Sequence, residues 1–159
     1  MNTLKLTKDD FRKSDGYWSE YVGKTDVANF EGHIEIDGQL GWVRFVKIKA
    51  AGRIFAQAGT GIEAGEGIKA GEGIKAGTFI TCKLSLKFAY RLFAGTAVFR
   101  DKNEEDKQIT CGKLDGGVVC YGDVSETGLP EEKVAPDEEV EKAIKLLETR
   151  GRLKDGKLV

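Results

Sequence analysis

Covalent or acid–base chemistry in this chain has few residues to run through. There is one histidine, His33, with three cysteines (Cys82, Cys111, Cys120) and four serines (Ser14, Ser19, Ser85, Ser125). A Ser or Cys nucleophile needs a positioned base. Only His33 could supply an imidazole, and its neighbours Glu31-Gly-His33-Ile-Glu-Ile36 bring no nucleophile to it. No Cys or second His stands near it, so zinc-ligand spacing is absent. Cys111 and Cys120 lie too far apart in sequence for a metal-ligand pair and lack a second pair. A phosphate loop of the Gly-x4-Gly-Lys-[Ser/Thr] type is also missing. The expectation is a protein that is not an enzyme and holds no cofactor or metal.

One charged constellation remains: Lys69, Lys75, Lys83, Lys87 and Arg91. Lys69 and Lys87 are 18 residues apart, and strand alternation places Lys83, Lys87 and Arg91 on one face. Such a face could meet an acidic protein or the phosphates of a nucleic acid. The formal net charge of −1 hides an asymmetry. Residues 1–40 carry −3, residues 41–100 carry +7 and residues 101–159 carry −5. A basic middle sits between acidic ends.

The element that must position these cations is a six-residue repeat. Ile62-Glu-Ala64-Gly-Glu-Gly67 is followed by Ile68-Lys-Ala70-Gly-Glu-Gly73 and Ile74-Lys-Ala76-Gly77. Aliphatic residues continue on the period at Ile80, Leu86, Leu92 and Val98, and upstream Ile48 and Ile54 keep it. Residues i and i+2 of a strand share a face. Ile and Ala therefore point inward, and Glu63, Lys69 and Lys75 outward. The glycines supply corners, where positive φ would cost them nothing. Three strands and three corners make an 18-residue coil, which predicts Ile62 beside Ile80, Ile68 beside Leu86 and Ile74 beside Leu92. Ile54 to Ile62 spans eight residues and predicts a longer face or a bulge. From Cys82 to Ala94 an unbroken alternation (Cys82, Leu84, Leu86, Phe88, Tyr90, Leu92, Ala94) also fits ordinary long strands.

The fold expectation is therefore all-β: a short β-solenoid of hexad repeats with a small N-terminal cap and a C-terminal helix. Residues 1–33 are the cap, with Thr7-Lys-Asp-Asp10 as a helix-capping sequence and Tyr17, Trp18, Tyr21 and Phe30 as an aromatic plug. Residues 34–122 are the solenoid or sheet domain. His33, the last residue of the cap, alternates opposite to Ile34 and Ile36 and is expected to face solvent. Cys111 and Cys120 take the place of the small inward Ala. Residues 123–135 are a linker. Residues 136–159 hold a helix with Val140, Ile144 and Leu147 as its stripe, and a tight turn at Lys154-Asp-Gly-Lys157. No apolar stretch reaches the ~20 residues of a membrane span. The odd cysteine count and polar N-terminus lead to an expectation of a cytoplasmic protein with free thiols and no membrane partner.

The run Ile62–Gly77 resembles hexapeptide-repeat β-helices, a group that includes left-handed acyltransferases and bactofilin-type polymer-forming proteins. The resemblance covers about 50 residues. It implies a β-helix, and among its functions either self-assembly into a structural polymer or acyl transfer, although the repeat carries no histidine. The Ile-Lys-Ala-Gly-Glu-Gly run also looks like small proteins of bacteria and their phages, which implies a phage or mobile-element accessory protein that inhibits a host defence complex. The leading functional expectation is a non-catalytic solenoid that binds a protein partner. The alternatives are a homo-oligomeric bactofilin-like scaffold, a nucleic-acid-binding module using the basic face, and an acyltransferase relative.

Overall fold

The computed structural model describes residues 1–96, 104–130, 153–154 and 157–158. Its strands are β1 (Asn2–Leu6), β2 (Phe11–Lys13), β3 (Trp18–Tyr21), β4 (Gly32–Ile36), β5 (Gly41–Phe45), β6 (Ile48–Ala50), β7 (Ile54–Ala56), β8 (Thr60–Ala64) and β9 (Ile68–Ala70). They continue as β10 (Ile74–Lys75), β11 (Ile80–Cys82), β12 (Ser85–Phe93), β13 (Gln108–Cys111), β14 (Lys113–Tyr121), β15 (Asp123–Glu126), β16 (Leu153–Lys154) and β17 (Lys157–Leu158). The regular structure of the described residues is almost entirely strand, with two short 3-10 turns at Lys8–Asp10 and Glu104–Lys107. No helix among the described residues is long and apolar enough to cross a membrane. The expected helix within 136–159 lies outside the described residues, as do the central residues of the expected turn; the flanking Leu153–Lys154 and Lys157–Leu158 pair antiparallel as β16 and β17.

Almost every other pairing is parallel, and the strands return to three rows in turn. One row runs β1-β4-β7-β10-β12 and a second runs β6-β9-β12. The long strand β12 joins them, pairing Leu86–Phe88 with β9 and Leu92–Phe93 with β10. The third row is the separate sheet β15-β13-β11-β8-β5-β3-β2. The three expected stacks are in place: Ile62 beside Ile80, Ile68 beside Leu86, Ile74 beside Leu92. The earlier circuit is longer, because Ile48 pairs with Ile68 and Ile54 with Ile74, each 20 residues on. These ladders are the core. Ile48, Ile54, Ile62, Ile68, Ile74, Ile80, Leu86 and Leu92 are all 0–1% exposed. Each such side chain contributes roughly 1.5–3 kcal/mol by leaving water, and Ala50, Ala56, Ala64 and Ala70 fill the narrower interior beside them.

The repeat glycines do a different job from the one expected. None of Gly65, Gly67, Gly71, Gly73 and Gly77 has positive φ; that conformation falls at Gly41, Gly59, Gly95, Gly116, Gly122 and Gly128. What the repeat needs is close backbone approach. A Cβ at Gly71 would overlap the Ala51 carbonyl oxygen, and one at Gly77 the Gln57 carbonyl oxygen. Stacked corners hydrogen-bond to each other, as in Gly71 N–H to Ala50 O at 3.0 Å and Glu72 N–H to Gly52 O at 3.1 Å. The eight-residue step from Ile54 to Ile62 is a corner too. Gly59 turns with φ of 76°, and buried Thr60 follows.

Several side chains leave their expected faces. The period of six overrides the period of two after Gly77: Leu84 and Tyr90 are corner residues exposed to solvent, and Tyr90 is 67% exposed. At the second corner the N–H groups of Ala89 and Tyr90 both donate to the Glu72 carbonyl, and the 18-residue register with β9 and β10 holds on either side; the irregular register is with β14. Cys82 and Cys111 are buried as expected, but Cys120 is exposed, since Val119 pairs with Leu92 and puts Cys120 on the outward phase. Residues 2–6, expected within a cap, already form a strand paired with β4. Thr7 N–H donates to Asp10 Oδ2 at 2.8 Å, as the capping sequence suggests. Phe11 and Tyr21 pack against Phe45, whereas Tyr17 is 91% exposed and plugs nothing. Residues 123–126, expected as linker, pair with β13.

Candidate functional site

Outward positions of a parallel stack form ladders, because residues at the same step of neighbouring strands lie about 4.8 Å apart. Three ladders differ sharply in chemistry. On the third row, Glu20, Arg44 and Glu63 stand in register and alternate in sign. Arg44 Nη2 donates to Glu63 Oε1 at 2.7 Å, and the Arg44 guanidinium lies 4.0 Å over the Trp18 ring. This ladder is internally satisfied.

The row through β6, β9 and β12 carries Lys49, Lys69 and Lys87 in one register. Lys49 Nζ donates to Asn29 Oδ1 at 2.6 Å, and Lys87 Nζ is 3.5 Å from Asp115 Oδ2. Lys69, between them, forms no ion pair among the described residues. Lys47 precedes Lys49 on the same side, and the four lysines line a groove of about 270 Å³ with Gly67 and Ser85.

The row through β4, β7, β10, β12 and β14 carries Glu35, Phe55, Lys75, Phe93 and Tyr121 in register. Lys75 Nζ lies 5.2 Å from the Phe55 ring centroid. Beside this ladder lies a notch of about 450 Å³, walled by Phe55, Phe93 and Tyr90 and bordered by the cations Arg53, Lys75 and Arg91 and the carboxylates Glu35 and Glu72. Arg53 Nη2 is 3.8 Å from Glu35 Oε1, so that cation is partly compensated. His33 borders this region and serves the backbone, its Nδ1 accepting the Arg53 N–H at 3.0 Å. The ring is mostly covered and not solvent-facing, and it packs where Gly52 leaves room.

The five expected cations thus divide. Lys69 and Lys87 share the lysine groove, Lys75 and Arg91 belong to the aromatic notch, and Lys83 sits exposed at the corner before β12. Sequence reasoning missed Lys49 and Phe55, the middle residues of Ile48-Lys49-Ala50 and Ile54-Phe55-Ala56. Each lies 20 residues before its partner, and a fixed count of 18 steps over them.

The two buried thiols are not activated nucleophiles. Burial, with the Cys111 charge next, pushes the Cys82 thiol up to about 12, and burial likewise raises Cys111. No protein-family model, no curated protein sequence and no solved structure matches the chain.

Proposed function

We propose that the chain is a short three-sided β-solenoid that works by binding a protein partner, not by catalysis. The stacked registers of 18 and 20 residues support the solenoid reading. The observation that carries the binding reading is the aromatic notch. Phe55, Phe93 and Tyr90 point away from a core that is already filled, so they contribute nothing to it. Aromatic side chains and Arg are the residues enriched where protein interfaces concentrate their energy. The notch is anchored on paired strands, which hold its walls in place, and its rim of Arg53, Lys75 and Arg91 with Glu35 and Glu72 suits an apolar side chain flanked by charged groups.

The test is affinity capture with the full chain, followed by a measured affinity for each recovered protein. A partner whose affinity falls at least about tenfold in Tyr90→Ala and Phe93→Ala, with Lys24→Gln unchanged, supports the reading. Recovery of the same proteins by all variants, or turnover of an acyl donor by the wild-type chain, overturns it.

Self-assembly is a second reading, favoured by one observation. Among the described residues β14 and β15 each have a single strand neighbour, and Val118, Tyr121 and Val124 are exposed at that end. An uncovered strand edge is a template for pairing. Sedimentation showing a monomer at high concentration would exclude it.

A further inference from the structure

The lysine ladder is the one outward row that the fold leaves unbalanced among the described residues. Like charges directly opposite across strands are destabilising. The same molecule avoids that cost elsewhere, with Glu20, Arg44 and Glu63 alternating on the third row and Lys5, Glu35, Phe55 and Lys75 on the aromatic one. On the lysine row the two ends meet oxygen, at Asn29 and Asp115, while Lys69 in the centre and Lys47 beside it form no ion pair among the described residues. Their side chains border a groove that also contains Ser85, a hydroxyl able to donate one more hydrogen bond.

We infer that this groove binds a compact ligand with two or more adjacent phosphate groups. Three features choose that class. First, the groove is lined by lysines with no arginine. Arg grips carboxylate and phosphate alike in a fixed bidentate fork, whereas clustered Lys ammoniums meet phosphate oxygens as compact point charges with freely aimed donors. Second, the spacing of about 4.8 Å between neighbouring lysines lets two ammoniums bracket one phosphate. The volume of about 270 Å³ holds a short condensed chain. Third, the row is short. Tight nucleic-acid binding draws on about 6–10 phosphate contacts along an extended track. Here four lysines stop at Asp115, whose carboxylate would repel a backbone continuing past Lys87. The site lies on a different row from the aromatic notch and does not rest on the reading proposed for it.

Calorimetric titration of the full-length protein at low salt with inorganic triphosphate tests this. Orthophosphate, a short DNA in single- and double-stranded form, and a glutamate-rich peptide are the other arms. Triphosphate is expected to bind, with an affinity that falls as salt is raised. Lys69→Gln should weaken it by about tenfold or more, the effect of losing one charge-assisted hydrogen bond. Lys24→Gln, an exposed cation outside the groove, should change nothing. Unchanged circular dichroism in Lys69→Gln confirms that the fold persists. Absence of binding at low salt, or equal weakening by Lys24→Gln, overturns the site. Orthophosphate binding as tightly as triphosphate overturns the requirement for adjacent phosphates. Tighter binding of either DNA form, or of the peptide, reassigns the groove to that ligand and overturns the inference.

Discussion

The hydroxyl of Thr60 donates to the main-chain carbonyl of Asp37 at 2.8 Å, joining two corners 23 residues apart. The same oxygen accepts the Leu40 N–H at 3.1 Å. Thr60 is fully buried, so its hydroxyl has no water to turn to instead. Thr60→Val keeps the shape and removes both bonds. It should cost about 1–3 kcal/mol, the penalty for leaving a buried polar group unsatisfied. Thr60→Ser keeps the hydroxyl and should recover most of the loss in urea denaturation.

The repeat glycines give a second prediction that separates positions alike in sequence. At Gly71 a Cβ would overlap the Ala51 carbonyl oxygen, a backbone atom that cannot swing aside. At Gly65, also the residue after a repeat Ala, the nearest atom to such a Cβ is the Val46 carbonyl oxygen at 3.7 Å, an ordinary contact. Gly71→Ala should therefore destabilise by about 1–3 kcal/mol through forced backbone movement. Gly65→Ala should be neutral or stabilise by up to about 1 kcal/mol, through reduced freedom of the unfolded chain. Equal melting temperatures for the two variants would refute close approach as the reason for glycine here.

These two cases mark how far the sequence could be read. The aliphatic period of six was enough to place Ile62, Ile68 and Ile74 beside Ile80, Leu86 and Leu92, because burial enforces that register. The corners were not legible in the same way. A period of six contains a period of two, so Leu84 and Tyr90 read as inward until the corners after Cys82 and Phe88 place them outside. The binding rows were half legible for a related reason. Lys69 and Lys87 obey the 18-residue count, but two extra corner residues before Thr60 move Lys49 and Phe55 to 20. The division of the cations between two rows follows the hexad: Lys69 and Lys75, six apart, fall on successive rows, and the 18-residue register sets Lys87 beside Lys69 and Phe93 beside Lys75. Strand alternation read straight through the corner at Ala89 and Tyr90 puts Arg91 on the face of Lys87 instead.

The cysteines predict an alkaline sensitivity. In the folded chain the Cys82 thiol stays protonated up to about 12, against an ordinary 9.0. Between those values the unfolded chain holds fewer protons than the folded one, so stability must fall as pH rises from about 9 to about 12. Cys111, raised in the same direction, adds to it. The double variant Cys82→Ala/Cys111→Ala follows the repeat's own choice of a small residue. It should lose less stability than wild type between pH values below and within that window, measured by urea unfolding. In native wild type a maleimide should label Cys120 rapidly and the two buried thiols only as the chain opens.

The uncompensated lysine makes a prediction that runs against the usual effect of mutation. Most substitutions destabilise, yet Lys69 stands between Lys49 and Lys87 and forms no ion pair among the described residues. Its burial is slight, so Lys69→Gln sacrifices little packing. Removing the central charge should stabilise the chain by about 0.2–1 kcal/mol at low salt, the size of a cross-strand charge effect. The gain should shrink as ionic strength rises, since exposed charges are screened over about 10 Å at 0.1 M salt. A groove that costs the fold stability when empty would be relieved by an anion, so triphosphate should raise the melting temperature of wild type more than that of Lys69→Gln. A wild type less stable than Lys69→Gln without ligand and more stable with it would be the signature of a lysine held for binding at the expense of the fold.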